Sequence, residues 1–180
     1  MKEIDDLFNF SNLTYRLMYL LRWNIYPRSL QETCASHIAQ VSLLSLYLVE
    51  QLKNKIKLDE LKIYKMSITH DLAEAPTAID VVHKIKMDYP DIKAMIEKIE
   101  LVEMEKLMGK EYKDLLNEFN ECKTIESVIV QICDILSCKV YCINELNMGN
   151  LSFKLPLIES ESRLNKLISI LNGFLENEKL

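Results

Sequence analysis

The chain has 180 residues, enough for one domain whose core needs no disulfide staples. Its formal net charge of -5 argues against a protein that wraps nucleic acid, which needs a basic stripe, but leaves room for a small anion held by a few local cations. With only 3 Gly and 4 Pro among many Leu, Ile, Lys and Glu residues, the composition predicts an all-α fold with short connections.

Five cysteines with no CxxC pair read as reduced thiols rather than a disulfide framework. The start, Met1 to Asp6, is too acidic for a signal peptide, and no apolar run reaches membrane-spanning length. The expected location is the cytoplasm, with no membrane partner and no stable nucleic-acid binding.

Between residues 4 and 21, apolar side chains at Leu7, Phe8, Phe10, Leu13, Leu17, Leu20 and Leu21 predict an amphipathic helix or helix pair. Arg22 and Trp23 close it, and the stretch from Asn24 to Gln31, with Pro27 and Ser29, reads as a loop. Thr33 is a fitting N-cap for a helix that runs to Leu52 with Val41, Leu44, Leu48 and Leu52 on one stripe. His37 falls on that stripe, either as a core histidine or as a ligand.

A second helix from about Leu58 shows Leu61, Tyr64, Ile68 and Leu72 on one face and ends in His70, Asp71 and Glu74. If the helix is continuous, His70 and Glu74 project from neighbouring turns and Asp71 points roughly 100° away. Such a cluster is either a surface turn or a site. Pro76 predicts an irregular segment through Asp80, followed by His83, Lys84 and Lys86, and the lysines suit either a phosphate or plain solvent.

Residues 91 to 121 predict a charged helix or helix pair broken near Gly109, with Ile92, Met95, Ile96, Ile99, Val102, Met104 and Leu107 buried. The segment from Ile125 to Leu146 is apolar around nearly its whole circumference, the mark of a central helix. Asp134 lies in its middle. A carboxylate there binds a metal, pairs with a buried cation or is held neutral. With His37, His70 and Asp71 it makes a mixed imidazole and carboxylate set suited to Mn, Fe, Co or Zn rather than Ca. Cys34 with His37 offers a rival start for a zinc site. Leu164, Leu167, Ile168, Leu171, Phe174 and Leu175 predict a C-terminal amphipathic helix over about 159–178, packed on the same domain or forming a dimer contact.

The order His37, His70-Asp71, Asp134 on successive helices resembles the H…HD…D pattern of HD-domain metal-dependent phosphohydrolases. Arg22-Trp23 upstream and the extension to Glu74 narrow the resemblance to the YfbR-like 5'-deoxynucleotidases, a subfamily that includes small phage dATP triphosphohydrolases. The likeness covers about residues 15 to 150 of a single domain, 1-180. It implies an HD-domain helical bundle with a metal site at its centre, His37, His70, Asp71 and Asp134 holding one divalent ion (Mn, Co or Zn), and Glu74 orienting or deprotonating the attacking water.

The resemblance further implies that Arg22 and Trp23 lie against the sugar and exclude a ribose 2'-hydroxyl, that Asp80 and Lys86 contact sugar and phosphate, and that the chain forms a homodimer or higher homo-oligomer. The sequence departs from the family where Ser36 replaces a glutamate and where the segment from Glu74 to Asp80 is one residue longer and lacks a glycine. The activity so implied is hydrolysis of deoxynucleoside 5'-monophosphates to deoxynucleoside and phosphate. The alternatives are a dNTP triphosphohydrolase and, more remotely, a non-catalytic nucleotide-binding regulatory protein.

Overall fold

The computed structural model describes residues 2–78 and 88–177. Among them the secondary structure is helical, apart from one isolated antiparallel bridge between Leu21 and Thr33. The helices are α1 (Lys2–Thr14), α2 (Cys34–Leu52), α3 (Glu60–Thr69), the short α4 (Glu74–Thr77), α5 (Pro90–Met108), α6 (Lys110–Glu121), α7 (Ile125–Asn147) and α8 (Lys154–Asn177), with 3₁₀ turns at Tyr15–Met18 and Leu151–Phe153.

As the sequence predicts, α7 is the axis of the fold. Val128, Ile129 and Val130 are completely buried, and α2, α3, α6 and α8 pack around this helix. Toward its C-terminal end Val140 and Ile143 are exposed. Both α2 and α7 start with a reciprocal capping box, Thr33 with Ser36 and Thr124 with Ser127. Each box satisfies amide donors that a helix start otherwise leaves open, and so fixes where the helix begins. Ser36 is thereby committed to its own helix start.

Three expectations change in ways that bear on the site. The buried face of α3 is Ile63, Met66, Ser67 and Thr69, while Leu61 and Ile68 point to solvent. An apolar count misses this face because two of its four members are hydroxyl residues that bond back into the helix, Ser67 Oγ to the Tyr64 carbonyl and Thr69 Oγ1 to the Lys65 carbonyl. Second, α3 stops at Thr69 and His70 is its C-cap. Tight bonds from Leu72 N to Thr69 O, Glu74 N to Asp71 O and Ala75 N to Leu72 O carry the chain round a corner into α4. Third, Pro76 lies inside α4 rather than breaking it, since the first turn of a helix has no amide bond for proline to remove.

Gly109 does break the charged pair α5 and α6, at φ 86° and ψ 179°, a region open to glycine alone. On α5, of the residues read as buried, Ile96 and Met104 are, whereas Ile92, Met95, Ile99 and Val102 are exposed. The first helix ends at Thr14, with Leu7 and Phe8 exposed; Leu17, in the 3₁₀ turn, is buried in the core, and Phe10, Leu13 and Leu20 pack against it half-buried. The C-terminal helix α8 lies along α7 and buries Leu164, Leu167 and Leu171, so it packs on its own chain.

Candidate functional site

The corner between α3 and α4 delivers His70 and Asp71 to a point that α2 reaches with His37 and α7 with Asp134. His37 Nε2 lies 3.1 Å from Asp134 Oδ1 and 3.7 Å from Asp71 Oδ2. His70 Nε2 lies 3.3 Å from the same Asp71 oxygen and 3.5 Å from His37 Nε2. Both imidazoles are buried, whereas the two aspartates keep 18% of their side-chain surface open. The four residues singled out from sequence are therefore brought together, with the carboxylates on the accessible side.

The far edges of the rings are held. His70 Nδ1 is 3.0 Å from the Ser67 carbonyl, which only accepts, so the proton belongs on Nδ1 and Nε2 presents a lone pair to the cluster. His37 Nδ1 meets Ser137 Oγ at 3.2 Å. Imidazole ligands of metals are oriented in this way by a partner on the opposite nitrogen.

Electrostatics favour positive charge at the same point. Burial opposes a charge on His70, but Asp71, with Asp134 behind it, outweighs burial and raises its pKa. Burial likewise disfavours ionised Asp71, yet His70, Arg22 and His37 hold that carboxyl well below the usual range. For Asp134, burial and the Asp71 charge are overcome by His37 and His70, and its pKa is also lowered. Two nitrogen and two carboxylate donors converging on one accessible spot can hold a metal ion. Ligand atoms of His37, His70 and Asp71 lie within 4.8 Å of one another, as do those of His37, Asp134 and Cys138.

Glu74 stands beside this cluster at the start of α4 and is buried. Its Oε2 accepts a hydrogen bond from the Cys34 thiol at 2.7 Å. Burial pushes the thiol pKa far up, and the Glu74 charge adds to that, so Cys34 stays protonated and donates. Cys34 is thus a partner of Glu74, not the first ligand of a zinc site.

Arg22 and Trp23 form the adjoining wall. The Arg22 guanidinium reaches Glu32 Oε2 through Nε (3.2 Å), Asp71 Oδ2 through Nη1 (3.1 Å) and Cys138 Sγ through Nη2 (3.4 Å). Trp23 has φ 59°, an uncommon backbone conformation for a bulky residue. Its Nε1 donates to Glu32 Oε2 at 2.8 Å, and its ring stacks on Tyr141 at 5.4 Å with a 3° tilt and meets Phe153 edge-on.

The loop that carries this wall is tied to α7 by Glu145, which is completely buried. Glu145 accepts from the amides of Ser29 and Leu30 and from Tyr141 and Asn150. Glu32, Tyr141 and Glu145 were not singled out from sequence, and Cys34 was read only as a rival zinc ligand. An isolated carboxylate on the apolar α7, of the kind that drew attention to Asp134, was the signal available for Glu145. Asp80 and Lys86, expected to contact substrate, lie outside the described residues, as do His83 and Lys84.

These residues border a cavity of about 300 Å³ whose lining includes Arg22, Trp23, His70, Asp71, Glu74 and Asp134, with Arg163 contributed by α8. A family profile described as 5'-deoxynucleotidase YfbR-like matches residues 9–175. The chain belongs to that family. It is 28% identical over 163 residues to a 5'-deoxynucleotidase of Yersinia pestis, covering 86% of this chain and 80% of the relative.

YfbR-like membership agrees with the solved structures. The chain resembles a conserved hypothetical protein from Pyrococcus furiosus at a TM-score of 0.78 and 24% identity, over 96% of this chain and 99% of that one. It also shares the fold of an HD-domain phosphohydrolase from Listeria innocua, with a TM-score of 0.76 at 16% identity over 94% and 82% of the two chains. This YfbR-like chain is a phosphohydrolase with an all-α HD-domain fold. None of its helices, among the described residues, is long and apolar enough to cross a membrane.

Proposed function

We propose that this YfbR-like chain is a metal-dependent 5'-deoxynucleotidase that hydrolyses deoxynucleoside 5'-monophosphates to deoxynucleoside and phosphate. The observation that carries the reading is the convergence of His37, His70, Asp71 and Asp134 beside a buried Glu74, at a cavity walled by Trp23. A divalent ion, Mn, Co or Zn, would be held by the two Nε2 atoms and a carboxylate oxygen of each aspartate, where it supplies Lewis acidity toward water and the phosphoryl oxygens.

Glu74 orients the attacking water and takes its proton as the oxygen adds to phosphorus. The bond from phosphorus to O5' breaks, and the departing deoxynucleoside oxygen is protonated. Cys34 donates to Oε2 of Glu74 and so holds the carboxylate in its orientation. Arg22 holds Asp71 at its Oδ2, so its part in the site is to position that carboxylate as well as to form the sugar wall with Trp23. The indole, braced by Tyr141 and Phe153, leaves no space or partner for a 2'-hydroxyl.

Monophosphates are preferred to triphosphates on two grounds. The cavity, about 300 Å³, is at the lower end of small-molecule sites. Its lining also includes Glu97, Glu100 and Glu159, whose charges oppose a β,γ-diphosphate tail. Product analysis across dNMPs, dNDPs and dNTPs, with Mn, Co and Zn supplied separately, tests the reading. Orthophosphate released from dNMPs is the expected result; triphosphate from dNTPs with inert dNMPs overturns it in favour of the triphosphohydrolase.

A further inference from the structure

Among the described residues, the cavity lining holds six carboxylates (Asp71, Glu74, Glu97, Glu100, Asp134 and Glu159) against three cations, Arg22, Lys93 and Arg163. A phosphate entering there meets more negative charge than one divalent ion cancels, so a protein cation must meet it. Two of the three are committed. Arg22 is engaged by Glu32, Asp71 and Cys138, and Lys93 Nζ pairs with Glu97 Oε1 at 3.5 Å.

Arg163 is different. It is half-buried on α8, lines the same cavity, and makes no ion pair or hydrogen bond with the described residues. Its charge nevertheless reaches the thiols of Cys122, at the end of α6, and of Cys138, one turn from Asp134. Burial raises both thiol pKa values, and Arg163 pulls each back. An arginine that faces a cavity rich in acids without pairing with any of them is held for an anion that the protein does not itself provide.

We propose that Arg163 is a phosphate-binding cation of this site, reaching from α8 to the phosphoryl oxygens of the substrate and of the phosphate product. The proposal rests on the phosphohydrolase reading and extends it to a helix that none of the recognised motif residues occupies. It also gives α8 a part in the chemistry beyond covering α7.

Binding of inorganic phosphate to the Mn-loaded full chain, measured by calorimetry, tests this without turnover. Arg163→Gln is expected to weaken phosphate binding and raise KM for dAMP by about tenfold or more, the scale of one lost charge-assisted hydrogen bond. Arg163→Lys should recover part of both. The melting temperature should stay at the wild-type value, since no ion pair is broken. Unchanged phosphate affinity and KM in Arg163→Gln, or no phosphate binding by the wild type, overturns the proposal. Wild-type protein that binds phosphate through Arg163 yet does not hydrolyse dAMP sinks the deoxynucleotidase reading and leaves this one standing.

Discussion

The Cys34 thiol donates to Oε2 of Glu74 at 2.7 Å, one helical turn before His37 on the same helix. A single turn of α2 thus carries both a candidate metal ligand and the group that orients the candidate base. The capping box at Thr33 sets the start of that turn, so the two roles are fixed by one local sequence.

Replacing Cys34 by Val keeps the volume and removes the donor. The expected outcome is a fall in kcat of about tenfold with KM for dAMP little changed, because a misaligned base affects the chemical step more than substrate binding. Cys34→Ser restores a donor and should recover much of the loss. Equal kcat in the Val and wild-type enzymes shows that Glu74 needs no such partner.

Metal and base roles separate in a second pair of variants. Asp134→Ala removes a carboxylate whose Oδ1 is 3.1 Å from His37 Nε2 and should abolish stoichiometric metal by elemental analysis. Glu74→Gln should retain the metal and lose turnover by about 10²- to 10⁴-fold, the range for removing a general base. Metal retained at full stoichiometry in Asp134→Ala removes that residue from the ligand set, and near wild-type rates in Glu74→Gln remove it from the mechanism.

Much of this site was legible because its parts violate the rules of their own helices. Asp134 on an almost wholly apolar α7 and the His70-Asp71 pair at a helix end stand out against burial energetics. Glu145, on the same helix and completely buried, carried an equal signal but has no motif around it. Cys34 was read as a rival zinc ligand, and its part beside Glu74 was illegible because that partner lies 40 residues away in sequence. The phase of α3 was misread for a related reason: Ser67 and Thr69 are buried by satisfying themselves within the helix, and apolar periodicity cannot see them. Arg163 belongs to a helix whose apolar face predicted packing and nothing more.

Trp23 supports a prediction on sugar selectivity. Its ring is braced by Tyr141 and Phe153, and its Nε1 is held by Glu32, so its edge at the cavity is stiff. The wild type should hydrolyse dAMP much faster than AMP. In Trp23→Ala the ratio of kcat/KM for dAMP to that for AMP should fall by roughly tenfold, since a rigid wall that rejects a hydroxyl is lost. Taking the ratio within one variant cancels any general loss of folded protein. An unchanged ratio would place the selectivity elsewhere.

Glu145 links stability to pH through the loop that carries Trp23. Burial raises its pKa, but donors from Leu30, Ser29, Asn150 and Tyr141 prevail and hold it at about 2, below the ordinary 4.5. A carboxyl with a depressed folded-state pKa contributes its full stabilisation above the unfolded value, and loses it as pH falls from 4.5 through about 2. Glu145→Gln should therefore destabilise the protein near neutral pH by about 2–3 kcal/mol, the scale of hydrogen bonds to a charged acceptor. It should also flatten the decline in stability between pH 4.5 and about 2. Urea unfolding at a series of pH values measures both. A variant whose stability falls with acid as steeply as the wild type's would show that Glu145 is not the group that titrates.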